Sequence, residues 1–374
     1  MIFFDNASTT KPDDICFDLI KRYSFADYYN PSAQYHNAVT ISGDIKQARQ
    51  DILRRISGEG NFVFTSSGTE SDNLALFGTT KRKGSRIIVS EAEHPSVLNA
   101  AHELAQRGYE LVLAKVDKCG KVDFENFQEI VTKETALISI MHVNNETGAI
   151  NDIKKLVNYA KSVNTRILFH SDGVQAIGKV ATDMTDLGVD LYSVSAHKLH
   201  SIKGCGGLFV KKGVTIQPVI FGGGQEMGMR SSTENITAIM CFVAVCNKFL
   251  PNIKQNAAKV QIIKDYIIKN LPQDGSIIKL SCEDSSPYIL GLALKGVRGE
   301  VMLHALEKHG IMLATGSACS SSKQPASWKT QYLPEEYKNG IIRLSFSHLN
   351  DIKQAEYFIK ALNLEYTELI KYAK

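Results

Sequence analysis

Between about residues 60 and 220, short runs of β-branched and aliphatic residues take turns with segments of helical period, and no other feature of the chain limits its fold as much. NFVFT (61–65) precedes a helix-like segment at 69–82, and RIIVS (86–90) precedes a helix opening at Pro95. In that helix Val97, Ala100, Ala101 and Leu104 recur at helical spacing and Gly108 ends the pattern. Further strand-like runs follow at 110–116, 136–143, 166–170 and 189–194, with polar helices near 123–132 and 152–163. Strand–helix alternation of this kind builds a mostly parallel sheet covered on both faces.

At 374 residues the chain exceeds what one core ordinarily organises, so a second domain is expected. From about 251 the texture changes to an α+β pattern: YILGLALK (288–295), a helix at 299–310, IMLATGSAC (311–319), IIRLSFS (341–347) and a closing helix from Asp351. In the closing helix Ile352, Ala355, Ile359 and Leu362 share one face.

In open parallel sheets, ligands gather beyond the carboxyl ends of the strands. Here those ends carry Ser66-Ser67-Gly68-Thr69, Glu91-Ala92-Glu93-His94, Asn144-Asn145-Glu146-Thr147-Gly148, Ser171-Asp172-Gly173-Val174-Gln175 and Ser195-Ala196-His197-Lys198. Taken singly, each has an ordinary reading. The Gly68 turn is a helix start with Thr69 as its cap, Asp172 is a turn residue, and Lys198 points into water. Taken together they fit one chemistry. A lysine supplies an amine for a Schiff base, an aspartate faces a ring nitrogen, and a Gly/Thr/Ser/His turn at a helix start cups a phosphate. His94 adds a flat imidazole suited to stacking and proton transfer. That set spells pyridoxal 5'-phosphate.

Lys and Arg total 43 against 39 acids, a net charge of +4, too mild for direct nucleic-acid binding. The N-terminus lacks a signal-peptide pattern, and no run approaches eighteen uninterrupted apolar residues, so a cytoplasmic protein off the membrane is expected. Seven cysteines show neither framework nor zinc spacing, which predicts reduced thiols and no metal site; Cys241 and Cys246 lie in an apolar run and are expected to be buried.

DNASTT (5–10), NPSAQYH (30–36), FTSSGTESDN (64–73), EAEHPSV (91–97), HVNNETG (142–148), SDGVQ (171–175), SAHK (195–198), GGGQEMGMRSST (222–233) and TGSACSS (315–321) resemble, in order and over nearly the whole chain, the cysteine desulfurases. These are fold-type I pyridoxal-phosphate enzymes of the class V aminotransferases. The resemblance implies an α/β fold with a large cofactor domain at 15–250, and a smaller α+β domain made of 1–14 and 251–374 that carries a mobile cysteine loop.

By the same resemblance, Lys198 holds the cofactor and moves the substrate's α-proton. Asp172 pairs with the ring nitrogen, Gln175 with the ring hydroxyl, and His94 stacks on the ring. Gly68, Thr69, Ser195 and His197 hold the phosphate, and Thr233 reaches the phosphate of a partner subunit in a homodimer. Asn145 and Arg343 hold the substrate carboxylate; the planar fork of Arg343 suits a two-bond grip. Cys319 opens a polar, aperiodic segment expected to be exposed, as befits a nucleophilic thiol that collects sulfur and delivers it elsewhere. The implied reaction converts L-cysteine to L-alanine and leaves a persulfide on Cys319 for a protein acceptor, an iron–sulfur scaffold or a thiolase.

The pattern has departures. Ser201-Ile202-Lys203-Gly204 stands where the family has Gly-Pro-Lys-Gly, Ser67 replaces a glycine, and Ser347-His348 follows Arg343 where glycine is common. The chain ends at Lys374, soon after its last helix, where scaffold-docking members carry a longer tail. A selenocysteine lyase and a catalytically idle partner-binding subunit are the alternatives; the presence of Lys198, Asp172 and Cys319 argues against the idle one.

Overall fold

The computed structural model describes residues 1–79, 82–316 and 328–372. Its strands, in chain order, are β1 (Ile2–Phe3), β2 (Gly60–Thr65), β3 (Arg86–Ser90), β4 (Glu110–Ala114), β5 (Thr135–Ser139), β6 (Leu168–Asp172), β7 (Leu191–Ser195), β8 (Gly206–Lys211), β9 (Ile277–Lys279), β10 (Ile289–Leu294), β11 (Ile311–Met312), β12 (Ala314–Thr315) and β13 (Ile341–Ser345). A seven-stranded sheet has the order β2-β8-β7-β6-β5-β3-β4. Every neighbouring pair from β7 to β4 is parallel, and β8 runs antiparallel to both β7 and β2. The expected mostly parallel sheet is therefore present, with β8 as an unexpected reversed strand. Gly206 and Gly207 open it, and a Cβ at Gly206 would press on the Ser67 backbone at 2.5 Å.

The central strands are apolar on both faces, as helix-covered parallel strands must be. Val63, Ile87, Val89, Leu137, Leu191 and Leu208 face one buried cluster, and Phe62, Phe64, Ile88, Ile138, Phe169 and Phe209 face the other. The helices Gly68–Gly78 and Pro95–Gln106 lie over the first cluster. The second lies beneath helices His36–Arg55 and Ile236–Phe249.

Residues Ile236–Lys269 are long and apolar enough, by length and composition, to cross a membrane. Half of its most apolar 18-residue stretch is buried inside the protein, and a turn at Pro251 divides the segment into helices Ile236–Phe249 and Ile253–Lys269. Cys241, Phe242, Val245 and Cys246 are core residues, so packing accounts for this apolarity.

A second, four-stranded antiparallel sheet has the order β12-β13-β10-β9. The N-terminus packs at the same end of the chain's fold: β1 and β11 form a separate two-stranded parallel sheet, and Asp5 bridges to Ser345 at the end of β13. Residues 5–10 then run from this sheet toward the turn after β7, where Thr10 N–H donates to the His197 carbonyl at 3.0 Å.

The reduced-thiol expectation needs one correction, because Cys119 and Cys282 form a disulfide with Cα atoms 5.8 Å apart. The two lie 163 residues apart, and only the tertiary fold brings them together. Cys16, Cys205, Cys241 and Cys246 are free and buried.

Candidate active site

β7 ends at Ser195 and a single 3-10 turn, Ala196–Lys198, carries the lysine back over the sheet. Lys198 Nζ donates to the carbonyls of Ala7 (2.6 Å) and Ser8 (2.7 Å). The Ala7 carbonyl also accepts from Gln175 Nε2 at 2.9 Å, so the N-terminal strap draws two of the expected residues to one point. Behind Gln175, Lys179 donates to its Oε1 at 2.9 Å. Burial, with help from Lys198 and Arg343, pushes the Lys179 amine down to about 7.

Asp172 is the last residue of β6, buried, with Oδ1 accepting from Val174 N–H at 2.8 Å. Burial raises its carboxyl above the ordinary range; His94 and Lys198 oppose that rise. His94 caps the helix Pro95–Gln106, its Nδ1 accepting from Ser96 N–H at 3.2 Å. The same nitrogen lies 2.7 Å from Ser96 Oγ, which donates to Asp72 at 2.7 Å. Burial depresses the imidazole, Asp172 counteracts, and Lys198 adds to the depression. Asp172, His94 and Lys198 thus lie within electrostatic reach of one another.

The phosphate turn differs in one detail from its sequence reading. Ser67, not Thr69, caps the helix Gly68–Gly78, its side chain accepting from Glu70 N–H at 3.2 Å. The serine in place of the family's glycine therefore closes the helix start rather than crowding it. Gly68 is packed so closely that a Cβ would lie 2.6 Å from Val174 Cγ2 and 3.3 Å from Ser195 Cβ. Thr69 is exposed in the first helical turn. Ser195 Oγ is buried and has no hydrogen-bond partner among the described residues. His197 Nδ1 lies 3.2 Å from Thr9 Oγ1, and burial, with Lys198 next in effect, pushes its ring down to about 4.

An orphaned buried hydroxyl, a helix start that excludes a Cβ, and a buried carboxylate facing a histidine and a lysine fit pyridoxal phosphate. Leaving such a hydroxyl without a partner is costly.

On the other side of the strap, Arg343 projects from β13. Its Nη1 donates to the Asn145 carbonyl at 2.9 Å, and its Nη2 donates to Asp5 Oδ1 and Ser8 Oγ, both at 2.8 Å. Its Nε is buried without a partner among the described residues. Arg343 and Asn145 are therefore brought together. Thr233 is not near them. It is exposed and lines a cavity of about 230 Å³ that also takes in Ser66, just ahead of the Gly68 turn, and Arg230, which donates to Glu70 at 2.7 Å. Cys319 lies outside the described residues.

Sequence reasoning missed Asp5, Asp72, Ser96 and Lys179 as members of this network. The strap motif DNASTT held the signal for Asp5, since a polar segment that matches a family motif near a terminus must touch something fixed. Lys179 gave a weaker one, four residues after Gln175 on the same face of a turn.

The chain belongs to the class-V aminotransferase family, whose sequence pattern matches residues 2–358. A NifS/IcsS protein homolog of Lactobacillus delbrueckii subsp. bulgaricus is 36% identical over 99% of this chain and 98% of its own. Cysteine desulfurase IscS 1 of Archaeoglobus fulgidus is 33% identical over 97% of this chain and 96% of its own. A solved NifS-like protein superposes with a TM-score of 0.92 at 28% identity, covering 98% of this chain and all (100%) of that one. Within the family, then, the chain groups with the cysteine desulfurases, and its cofactor is pyridoxal phosphate.

Proposed function

We propose that the protein converts L-cysteine to L-alanine and leaves the sulfur as a persulfide on Cys319. One observation carries the reading: Lys198 and Gln175 meet at the Ala7 carbonyl, while Arg343 and Asn145 meet across the same N-terminal strap.

When bound, the cofactor supplies an electron-withdrawing ring that takes up charge released at the substrate's α-carbon. The chain supplies the rest. Lys198 would hold the cofactor through its amine and would move the substrate's α-proton. Asp172 would hold a proton at the ring nitrogen, His94 would cover the ring and Gln175 would hold the ring hydroxyl. Gly68, Thr69, Ser195 and His197 hold the phosphate, a role the partnerless Ser195 hydroxyl supports. Arg343 turns its guanidinium to the substrate carboxylate, with Asn145 beside it. The Cys319 thiolate attacks the substrate sulfur, the carbon–sulfur bond breaks with its electron pair left on the substrate's β-carbon, that carbon takes up a proton, and alanine leaves while the sulfur stays on Cys319 as a persulfide.

The assembly reading is a homodimer in which Thr233 reaches the partner's phosphate. Its exposure supports this, as does the apolar run Val219, Ile220 and Phe221 ahead of it, Phe221 being 81% exposed. The division into residues 15–250 and residues 1–14 with 251–374 is supported by the pairing of β1 with β11 and of Asp5 with Ser345. A cytoplasmic setting and a protein acceptor, scaffold or thiolase, complete the proposal.

The test is alanine and sulfide measured together from L-cysteine, using purified protein with pyridoxal phosphate and a thiol reductant. Equal yields are expected. No alanine from protein that has bound the cofactor would overturn the reading.

A further inference from the structure

Residues 115–122 fold back between β4 and the helix Phe124–Ile130, with Val116 bridged to Val122 and Gly120 in the left-handed region at φ +92°. Asp117 Oδ1 closes the turn by accepting from the N–H groups of Cys119 (2.8 Å) and Lys121 (2.9 Å). The turn presents Cys119 to Cys282, which follows β9 in the other sheet. The cross-link is wired to the site. The Cys119 carbonyl accepts from Thr147 Oγ1 at 2.6 Å, and the Thr147 carbonyl accepts from Ser281 Oγ at 2.5 Å. Thr147 sits two residues beyond Asn145, in the turn that Arg343 holds.

A disulfide that serves only as a staple is best sealed from solvent. This one is sealed on one side only. Cys119 is buried at 5% exposure, while Cys282 is half-buried, and both line a cavity of about 420 Å³. Lys118, Lys279, Glu283 and Lys329 line the same cavity; the first three are exposed, Lys329 pairs with Glu146, and the exposed groups leave one net positive charge facing it. Access and nearby cations are the features that expose a disulfide to attack by an anionic thiol.

We propose that Cys119–Cys282 is a reversible thiol–disulfide site that exchanges with a small carboxylate-bearing thiol, of the class of cysteine itself, entering this cavity. The incoming thiolate attacks Cys282 Sγ, the more accessible sulfur. The Cys282–Cys119 bond breaks, its electron pair leaves on Cys119 Sγ, and that thiolate takes a proton. A second thiolate attacks the small-molecule sulfur of the mixed disulfide, releasing Cys282 as thiolate and the small molecule as its own disulfide. Two thiols are oxidised and one protein disulfide is reduced; the reverse sequence uses the small disulfide as oxidant. The inference does not depend on desulfuration, because exchange needs neither cofactor nor Lys198.

The test equilibrates the full chain, wild type and Lys198→Ala, in cysteine/cystine mixtures from reducing to oxidising. Samples are quenched with acid, alkylated and read cysteine by cysteine by peptide mass. Cys119 and Cys282 are expected to pass together between alkylated and cross-linked forms, with the same midpoint in both proteins. Cys119→Ser is expected to accumulate cysteine on Cys282, and Lys279→Glu to slow exchange several-fold. A pair that stays cross-linked in excess reductant while the protein remains folded would overturn the proposal in favour of a staple. A pair that stays reduced in every mixture would also overturn it. So would a reduced pair that resists alkylation until a chelator is added, which would mark a metal site shared with Asp117.

Discussion

Glu93 ties the turn before His94 to the core. Its Oε1 accepts from Ser90 Oγ at 2.6 Å and from Met141 N–H at 2.8 Å, while Oε2 is buried without a partner among the described residues. Burial pushes its carboxyl up to about 8. Below the unfolded-state value both states are protonated. Between that value and about 8 the unfolded chain ionises and the folded one does not, so stability falls as pH rises through this window. The loss from this group is at most about 1.4 kcal/mol per pH unit. Glu93→Gln removes the titration, so chemical unfolding between about pH 5 and about pH 8 is expected to shift in the variant's favour as pH rises. Lys198→Ala is the corresponding test of chemistry. Alanine formation should fall to background and the visible absorbance of the lysine-bound cofactor should disappear, with the unfolding midpoint nearly unchanged, since Ser8 is exposed and the buried Ala7 carbonyl keeps its bond from Gln175.

At the scale of elements, Ser67 is a cap with a measurable worth. Ser67→Ala is expected to destabilise by about 1 kcal/mol, and Ser67→Gly, the residue usual in the family, by only a few tenths. Equilibrium unfolding of both variants checks this. The strands β2 to β7 were legible in the sequence because buried strands read as apolar runs with polar ends. Gly68, His94, Asp172, Gln175 and Lys198 were legible for the same reason, since they lie at those ends, whereas Thr233, Arg343 and Cys319 were legible only through the family resemblance. β8 was not, because Gly206 and Gly207 open it and nothing in its composition marks its direction. The disulfide was hidden by 163 intervening residues, and the Ser67 cap by Thr69, an equally good capping type two positions on. The carboxyl end of β5 was misplaced. The apolar run continues to Val143, whereas β5 ends at Ser139; Ile140 and His142 still donate to the His170 and Asp172 carbonyls of β6, and the chain then turns through a Val143–Ile150 bridge that brings the Asn145 carbonyl to Arg343.

For the molecule as a whole, the apolar segment ahead of Thr233 is the place to test assembly. On the proposed homodimer, Phe221→Asp is expected to yield monomers by sedimentation and to weaken cofactor retention, because the proposed reach of Thr233 to the partner's phosphate would be lost. An unchanged sedimentation coefficient would remove this surface from the assembly.

The strap has a consequence for how the protein is made. Asp5, Ala7 and Ser8 leave the ribosome well before their partners, Lys198 and Arg343, which arrive about 190 and 338 residues later. At common synthesis rates of about 5–20 residues per second, the opening segment waits roughly 17–70 s for β13. The large sheet has time to form, with every residue proposed for the cofactor already made, before the strap gains its anchor on β13. A nascent or prematurely terminated chain is therefore expected to hold cofactor and still lack the arginine proposed for the substrate carboxylate, so turnover rather than cofactor loading would report that translation has run through Arg343.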